Sequence, residues 1–139
     1  MGKYKELKIL IAEDDDGHAE LIQQGLRDSG VCNEIQRFSN GEDTWKFLLE
    51  EKDSAENTYL LLLDINMPLM DGVEVLEKMK LDETLKKIPV IMLTTTDDPR
   101  EVEKCYELGC NVYITKPVDF IEFSDRLNRL GLFVQIVSV

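Results

Sequence analysis

The sequence predicts a doubly wound α/β domain, in which helices cover both faces of a five-stranded parallel sheet. Three observations carry that expectation. Short apolar runs rich in β-branched residues and leucine alternate with amphipathic stretches five times along the chain. The third run, Tyr59 to Leu63, is apolar at every position, as befits a strand covered on both sides. No long repeat, low-complexity segment or Gly/Ser linker interrupts the series, and 139 residues suit one compact domain.

Each element has its own signal. Leu7, Ile9, Leu10 and Ile11 form the first strand, and Ala19, Ile22 and Leu26 then fall at helical spacing, with Leu21 widening the stripe. That helix should end near Ser29-Gly30. Ile35 to Phe38 is a short second strand closed by Ser39-Asn40-Gly41, and Trp45, Leu48 and Leu49 mark the second helix. Acidic, polar residues from Glu50 to Thr58 lead to the third strand. Pro68 and Asp71-Gly72 then break the chain, and Val73, Val75, Leu76 and Met79 carry a third helix toward Leu81. Ile88 to Leu93 reads as the fourth strand, with Pro89 tolerable at its entrance. Asp97-Asp98-Pro99 caps a fourth helix bearing Val102, Tyr106 and Leu108, which Gly109 ends. Val112 to Thr115 is the fifth strand, Lys116-Pro117 turns the chain, and Phe120, Ile121, Phe123 and Leu127 line a fifth helix. Residues 1–130 thus form the domain and 131–139 an apolar extension. Its Leu132, Phe133, Val134, Ile136, Val137 and Val139 need a cover, either the domain's own surface or a second subunit.

Charge narrows the function. With 16 Lys and Arg against 28 Asp and Glu, the net charge of −12 repels phosphate backbones and anionic headgroups, so direct nucleic-acid or membrane binding is not expected. The apolar runs are too short to span a bilayer, and the N-terminus has neither a secretory cleavage site nor a myristoylation pattern. Cys32, Cys105 and Cys110 lack metal-ligand spacing and His18 is the sole histidine, which suggests reduced cytoplasmic thiols and no zinc site.

In a parallel α/β sheet ligands bind beyond the carboxyl ends of the strands. Glu13, Asp14, Asp15 and Asp16 follow the first strand, Asp64 the third, Thr94, Thr95 and Thr96 the fourth, and Lys116 the fifth. Carboxylates converging from two strand ends repel one another unless a cation sits between them. Oxygen ligands favour Mg²⁺, and two or three carboxylates leave open positions for water and phosphate. Lys116 and Thr94 could then steady a transferring phosphoryl group by charge and by a hydroxyl donor. Taken singly, Asp14 to Asp16 could merely cap the first helix, Thr94 could be a turn residue and Lys116 an exposed cation.

The segments ILIAEDDD, LLLLDINMPLMDG, VIMLTTT and YITKP, in that order, resemble the receiver domain of two-component response regulators, from about Lys8 to about Leu130. The resemblance implies a flavodoxin-like fold. It makes Asp64 the acceptor of a phosphoryl group from a histidine kinase. It makes Glu13 and Asp14 the acidic pair around Mg²⁺, Asp14 binding directly and Glu13 through water, with Asn66 lending a backbone carbonyl. Thr94 becomes the switch hydroxyl, Lys116 its ionic partner, Tyr113 the aromatic ring that follows Thr94, and Pro117 the residue after the lysine. Glu at position 13, where Asp is commoner, is a frequent variant.

The later motifs and the apolar end are also similar to small single-domain regulators that work with phytochrome-type histidine kinases, in which the chain end helps form a homodimer. Leu132, Phe133 and Val134 are the corresponding candidates here. With the chain used up by the receiver, signalling is expected to pass by contact with a downstream protein, and catalysis to be confined to weak self-phosphorylation and dephosphorylation. Other functions would leave different marks. A phosphatase working through an aspartyl phosphate commonly has a second acid two residues after the nucleophile, where this chain has Asn66. A constitutive scaffold would lack the acceptor, an acid or the lysine, and a nucleotide site would need more glycines after the first strand than Gly17.

Overall fold

The computed structural model describes residues 6–28, 30–53 and 57–116. In chain order the elements are β1 (Glu6–Ala12), α1 (Asp16–Asp28), β2 (Ile35–Phe38), α2 (Gly41–Glu51), β3 (Asn57–Leu63), α3 (Gly72–Lys80), β4 (Val90–Thr94), α4 (Pro99–Leu108) and β5 (Val112–Thr115), with one 3-10 turn at Leu85–Lys87. The strands form one sheet in the order β2-β1-β3-β4-β5, every pair parallel. That order reverses direction beside β1, and the crevice it opens lies above the carboxyl ends of β1 and β3.

Strand periodicity divides the core in two. Ile9, Ile11, Leu60, Leu62, Ile91 and Leu93 point to the face covered by Ile22 and Leu26 of α1. Leu10, Leu61, Leu63 and Met92 point to the other face, against Leu48 of α2, Leu76 and Met79 of α3 and Cys105 of α4. This is why β3 reads as apolar throughout: both of its faces are buried.

The helix ends follow the expected chemistry. Asn40, Asp71 and Asp98 cap α2, α3 and α4, accepting backbone N–H groups from Asp43 at 2.7 Å, Glu74 at 2.9 Å and Arg100 at 2.9 Å. Gly109 closes α4 in the left-handed region, φ 105°, where a side chain would be strained.

Some expectations shift. Leu21 and Leu49 are exposed rather than part of the buried stripes, because each sits one residue beside the position that faces the sheet, Ile22 and Leu48. On α4 the fully buried residue is Cys105, while Tyr106 lies at the flank. β4 begins at Val90, not Ile88, since Pro89 has no N–H for the ladder, although its carbonyl accepts from Leu61 at 3.0 Å. The expected fifth helix, Pro117 and the extension 131–139 lie outside the described residues.

Candidate functional site

The site forms where the chain leaves β1, β3, β4 and β5. Glu13 and Asp64 are the residues next after β1 and β3, and the ladder continues one step beyond the strands through the Asp64 N–H to the Ala12 carbonyl at 3.0 Å. Ligand oxygens of Glu13, Asp14 and Asp64 all lie within 4.8 Å of one another, with Glu13 and Asp64 buried and Asp14 exposed. Three carboxylates gathered this closely, one open to solvent, suit a hard divalent cation that keeps some of its water.

Asp15, next in the acidic run, does the capping work instead. Its Oδ1 accepts the His18 N–H at 2.9 Å, and that bond holds its carboxyl below the usual range. The run therefore divides its labour between a cation cluster and a helix start.

Lys116 reaches into the cluster from the end of β5, its side chain almost wholly buried. The ammonium donates to Oε1 of Glu13, to Oδ2 of Asp64 at 3.2 Å and to Nδ1 of His18 at 3.3 Å, which engages all three of its N–H groups. Burial nevertheless pushes the Glu13 carboxyl above its ordinary pKa, with the neighbouring Asp64 charge adding to the effect against the pull of Lys116.

Thr94, the last residue of β4, is fully buried, and among the described residues its hydroxyl has no hydrogen-bond partner. A buried orphan hydroxyl is costly unless a partner arrives, and a phosphoryl oxygen on the adjacent strand end is a fitting one. The Tyr113 ring is buried in β5, and its hydroxyl donates to the Thr96 carbonyl at 2.6 Å. The Tyr113 N–H in turn donates to the Tyr106 hydroxyl at 3.0 Å, joining α4 to β5. Burial pushes the Tyr113 phenol far up, so it stays a donor at any physiological pH. Asn66, exposed two residues past Asp64, lines with Thr96, Asp71, Glu74 and Lys104 an open groove formed by the segments after β3 and β4 together with α3 and α4.

Segment 65–71 after Asp64 folds back tightly. The Gly72 N–H donates to the Ile65 carbonyl at 2.8 Å, and Leu69 adopts φ 70°. Cys105 and Cys110 are buried thiols pushed up by desolvation to about 11 and about 12, whereas Cys32 is exposed.

Two residues near the site have no site role in the sequence reading, where His18 enters only as the sole histidine. His18 touches Lys116, and Arg37 of β2 holds the Glu13 backbone through two bonds from one guanidinium, Nε at 2.9 Å and Nη2 at 2.8 Å to the carbonyl oxygen. The rule of looking past each strand end passes over Arg37, because it sits inside β2, one residue before the end.

Residues 9–128 match the family described as the response regulator receiver domain. The chain belongs to that family. Among its relatives, response regulator Rcp1 of Synechocystis sp. (strain ATCC 27184 / PCC 6803 / Kazusa) is 37% identical over 110 residues, which span 78% of this receiver and 75% of Rcp1. A receiver domain from Rhodospirillum rubrum has a TM-score of 0.76 at 43% identity, covering 93% of this chain and 94% of that one. The phosphorylated cyanobacterial phytochrome response regulator RcpA has a TM-score of 0.73 at 33% identity, covering 96% and 90%. A Mn²⁺-bound form of a response regulator Rcp1 has a TM-score of 0.71 at 32% identity, covering 94% and 89%. Receivers are signalling switches of two-component systems that pair with histidine kinases, and the acidic cluster of this one fits a divalent metal. Among the described residues no helix is long and apolar enough to cross a membrane.

Proposed function

We propose that this receiver is a Mg²⁺-dependent phospho-switch that takes a phosphoryl group from a histidine kinase onto Asp64 and signals by phosphorylation-dependent contact with a downstream protein. The observation that carries the reading is the setting of Asp64. It is a buried carboxylate at a strand end, within a cluster of three acids and 3.2 Å from the Lys116 ammonium. On the adjacent strand end lies Thr94, whose buried hydroxyl has no partner among the described residues.

Glu13, Asp14 and Asp64 would hold the cation, with the Asn66 backbone carbonyl, and the bound metal would screen the acids and draw charge from the phosphoryl oxygens. The rest is the work of the chain. A carboxylate oxygen of Asp64 attacks phosphorus, an O–P bond forms as the P–N bond of the kinase phosphohistidine breaks, and the imidazole leaves with the bonding pair. Lys116, already 3.2 Å from Asp64, turns its charge to the new dianion. Thr94 gains the acceptor that it lacks, and Tyr113, tied to the Thr96 carbonyl in the segment after Thr94, passes that movement to α4 and β5.

The remaining elements of the reading rest on resemblance and on charge. The kinase is of the phytochrome type, in keeping with the similarity to RcpA. The protein works in the cytoplasm and makes no direct contact with nucleic acid or membrane, in keeping with its charge of −12. Residues 1–130 are the receiver and 131–139 an apolar extension that supports a homodimer through Leu132, Phe133 and Val134.

The test is intact mass after incubation with acetyl phosphate, with and without Mg²⁺, beside Asp64→Asn. The expected result is a Mg²⁺-dependent gain of one phosphoryl group that vanishes in the variant. Stoichiometric labelling of Asp64→Asn would move the acceptor elsewhere, and no labelling of the wild type would make the protein a constitutive binding module.

A further inference from the structure

We propose that Arg37 is a positioning residue for the cation-binding acids: its guanidinium clamps the backbone of Glu13 and so holds the turn bearing Glu13 and Asp14 in ligating geometry. The proposal rests on the phospho-switch reading and adds to it a residue from β2, the one strand whose end supplies none of the acids, the hydroxyl or the lysine.

β1 ends at Ala12, so the backbone groups of Glu13 lie past the regular ladder. Both are nevertheless taken up by β2. The Glu13 N–H donates to the Phe38 carbonyl at 2.9 Å, and the Glu13 carbonyl receives Nε–H and Nη2–H of Arg37 at 2.9 and 2.8 Å. The third arm, Nη1, reaches Asp16 at 2.7 Å, so one guanidinium spans the turn from Glu13 to Asp16 and encloses Asp14 between its two anchor points. Every residue of β2 is only half-buried. The strand adds little to the core, and the placement of Arg37 is its most specific contribution to the site.

The need for such a clamp follows from charge. Oxygens of Glu13, Asp14 and Asp64 are gathered within 4.8 Å; the Lys116 ammonium bridges Glu13 and Asp64, but an unrestrained Asp14 carboxylate would still spread away from them. Holding them together before the cation arrives is the task of groups behind the ligands. The shape of the contact demands arginine. Two parallel N–H groups on one carbonyl, with a third arm turned to a carboxylate, match a planar fork, whereas a lysine ammonium is a compact point charge.

Charge and clamping predict opposite signs, which makes the proposal sharp. As a mere cation beside the acids, Arg37 opposes Mg²⁺, and its neutralisation would tighten binding. As a clamp, it favours Mg²⁺, and its loss loosens binding.

The test titrates Mg²⁺ into the full chain, followed by backbone amide NMR shifts, for the wild type, Arg37→Gln and Arg37→Lys, with thermal unfolding of each in parallel. We expect both variants to bind Mg²⁺ about tenfold more weakly, in line with the loss of a group that orients ligands. The unfolding midpoint without metal should stay close to that of the wild type. Unchanged or tighter binding in Arg37→Gln, or wild-type affinity in Arg37→Lys, overturns the clamp. So does a lower unfolding midpoint with unchanged affinity, which would make Arg37 structural only. A wild type that binds no Mg²⁺ sinks the phospho-switch reading itself, and the clamp with it. The wild type alone gives a further check that does not depend on any variant folding: the Arg37 Nε–H resonance should be protected from exchange with solvent, and rapid exchange overturns the proposal.

Discussion

Gly72→Ala sets local preference against tertiary packing at the first residue of α3. Helix propensity alone favours alanine by at most about 1 kcal/mol, the figure for a helix interior. The Gly72 backbone is not left-handed, so an alanine could adopt its angles. Space decides otherwise. A Cβ at this position would stand 2.0 Å from the carbonyl oxygen of Asp64 and 2.8 Å from its carbonyl carbon, where contacts below 3.0 Å essentially never occur. Backbone on one side or the other must yield by about 1 Å. Because the obstacle is main chain, no side-chain rotation can relieve it, and the cost belongs near the top of the overpacking range, about 3 kcal/mol. Set against the propensity gain, the net loss is about 2 kcal/mol. Urea unfolding should show the midpoint falling by about 1 M at an ordinary slope of about 2 kcal/mol per molar. The same shift would misplace the Asp64 carboxylate against Lys116, and a 1 Å error at a reacting centre costs about 100-fold in rate. Labelling by acetyl phosphate should slow accordingly. A midpoint equal to or above that of the wild type would show that the close approach is not felt, and the reasoning would be wrong.

Two other perturbations test separate features. In Thr94→Val a methyl group replaces the unpartnered buried hydroxyl, so stability should rise by about 1 kcal/mol while any change in the surface of α4 and β5 on phosphorylation is lost; a less stable variant would mean that the hydroxyl has a partner after all. Asp82 accepts the Leu85 and Thr84 N–H groups and the Lys52 ammonium, which together lower its pKa from 3.8 to about 2. A carboxyl depressed in the folded state stabilises it above pH 3.8 and loses that contribution as pH falls toward 2, so Asp82→Asn should flatten the fall of stability across this window; an unchanged pH profile of unfolding would refute the assignment.

Most of the fold was legible because burial writes itself into periodicity. β2, at four residues, and β5 were found with their bounds intact, since turn residues flank each of them. Misreadings came where one apolar residue neighbours another: Leu21 beside Ile22 and Leu49 beside Leu48 look alike in sequence, and only the helix angle separates them. At the site, the acids, Thr94 and Lys116 were visible because strand ends concentrate chemistry. The division of the acidic run came only with the resemblance, which picks out Glu13 and Asp14; in the residues alone Asp14 and Asp15 differ only in the direction that the backbone gives them. Arg37 was invisible for another reason. It acts through a main-chain carbonyl, and such a partner leaves no mark in the pattern of side chains.

The glycine at the head of α3 also gives the molecule a mechanical direction. The Asp64 backbone is hemmed in by Gly72 on one side and bonded to the Ala12 carbonyl on the other, so charge arriving at its carboxylate finds no slack in that part of the frame. On the β4 side the arrangement is more compliant: among the described residues the Thr94 hydroxyl has no hydrogen bond to release before it turns, and the Thr96 carbonyl is tethered to the Tyr113 hydroxyl. A stiff mount on one flank and a soft one on the other rectify the response. On the proposed reading, the movement set off by phosphorylation runs along β4 into β5 and α4, with α3 as the anvil.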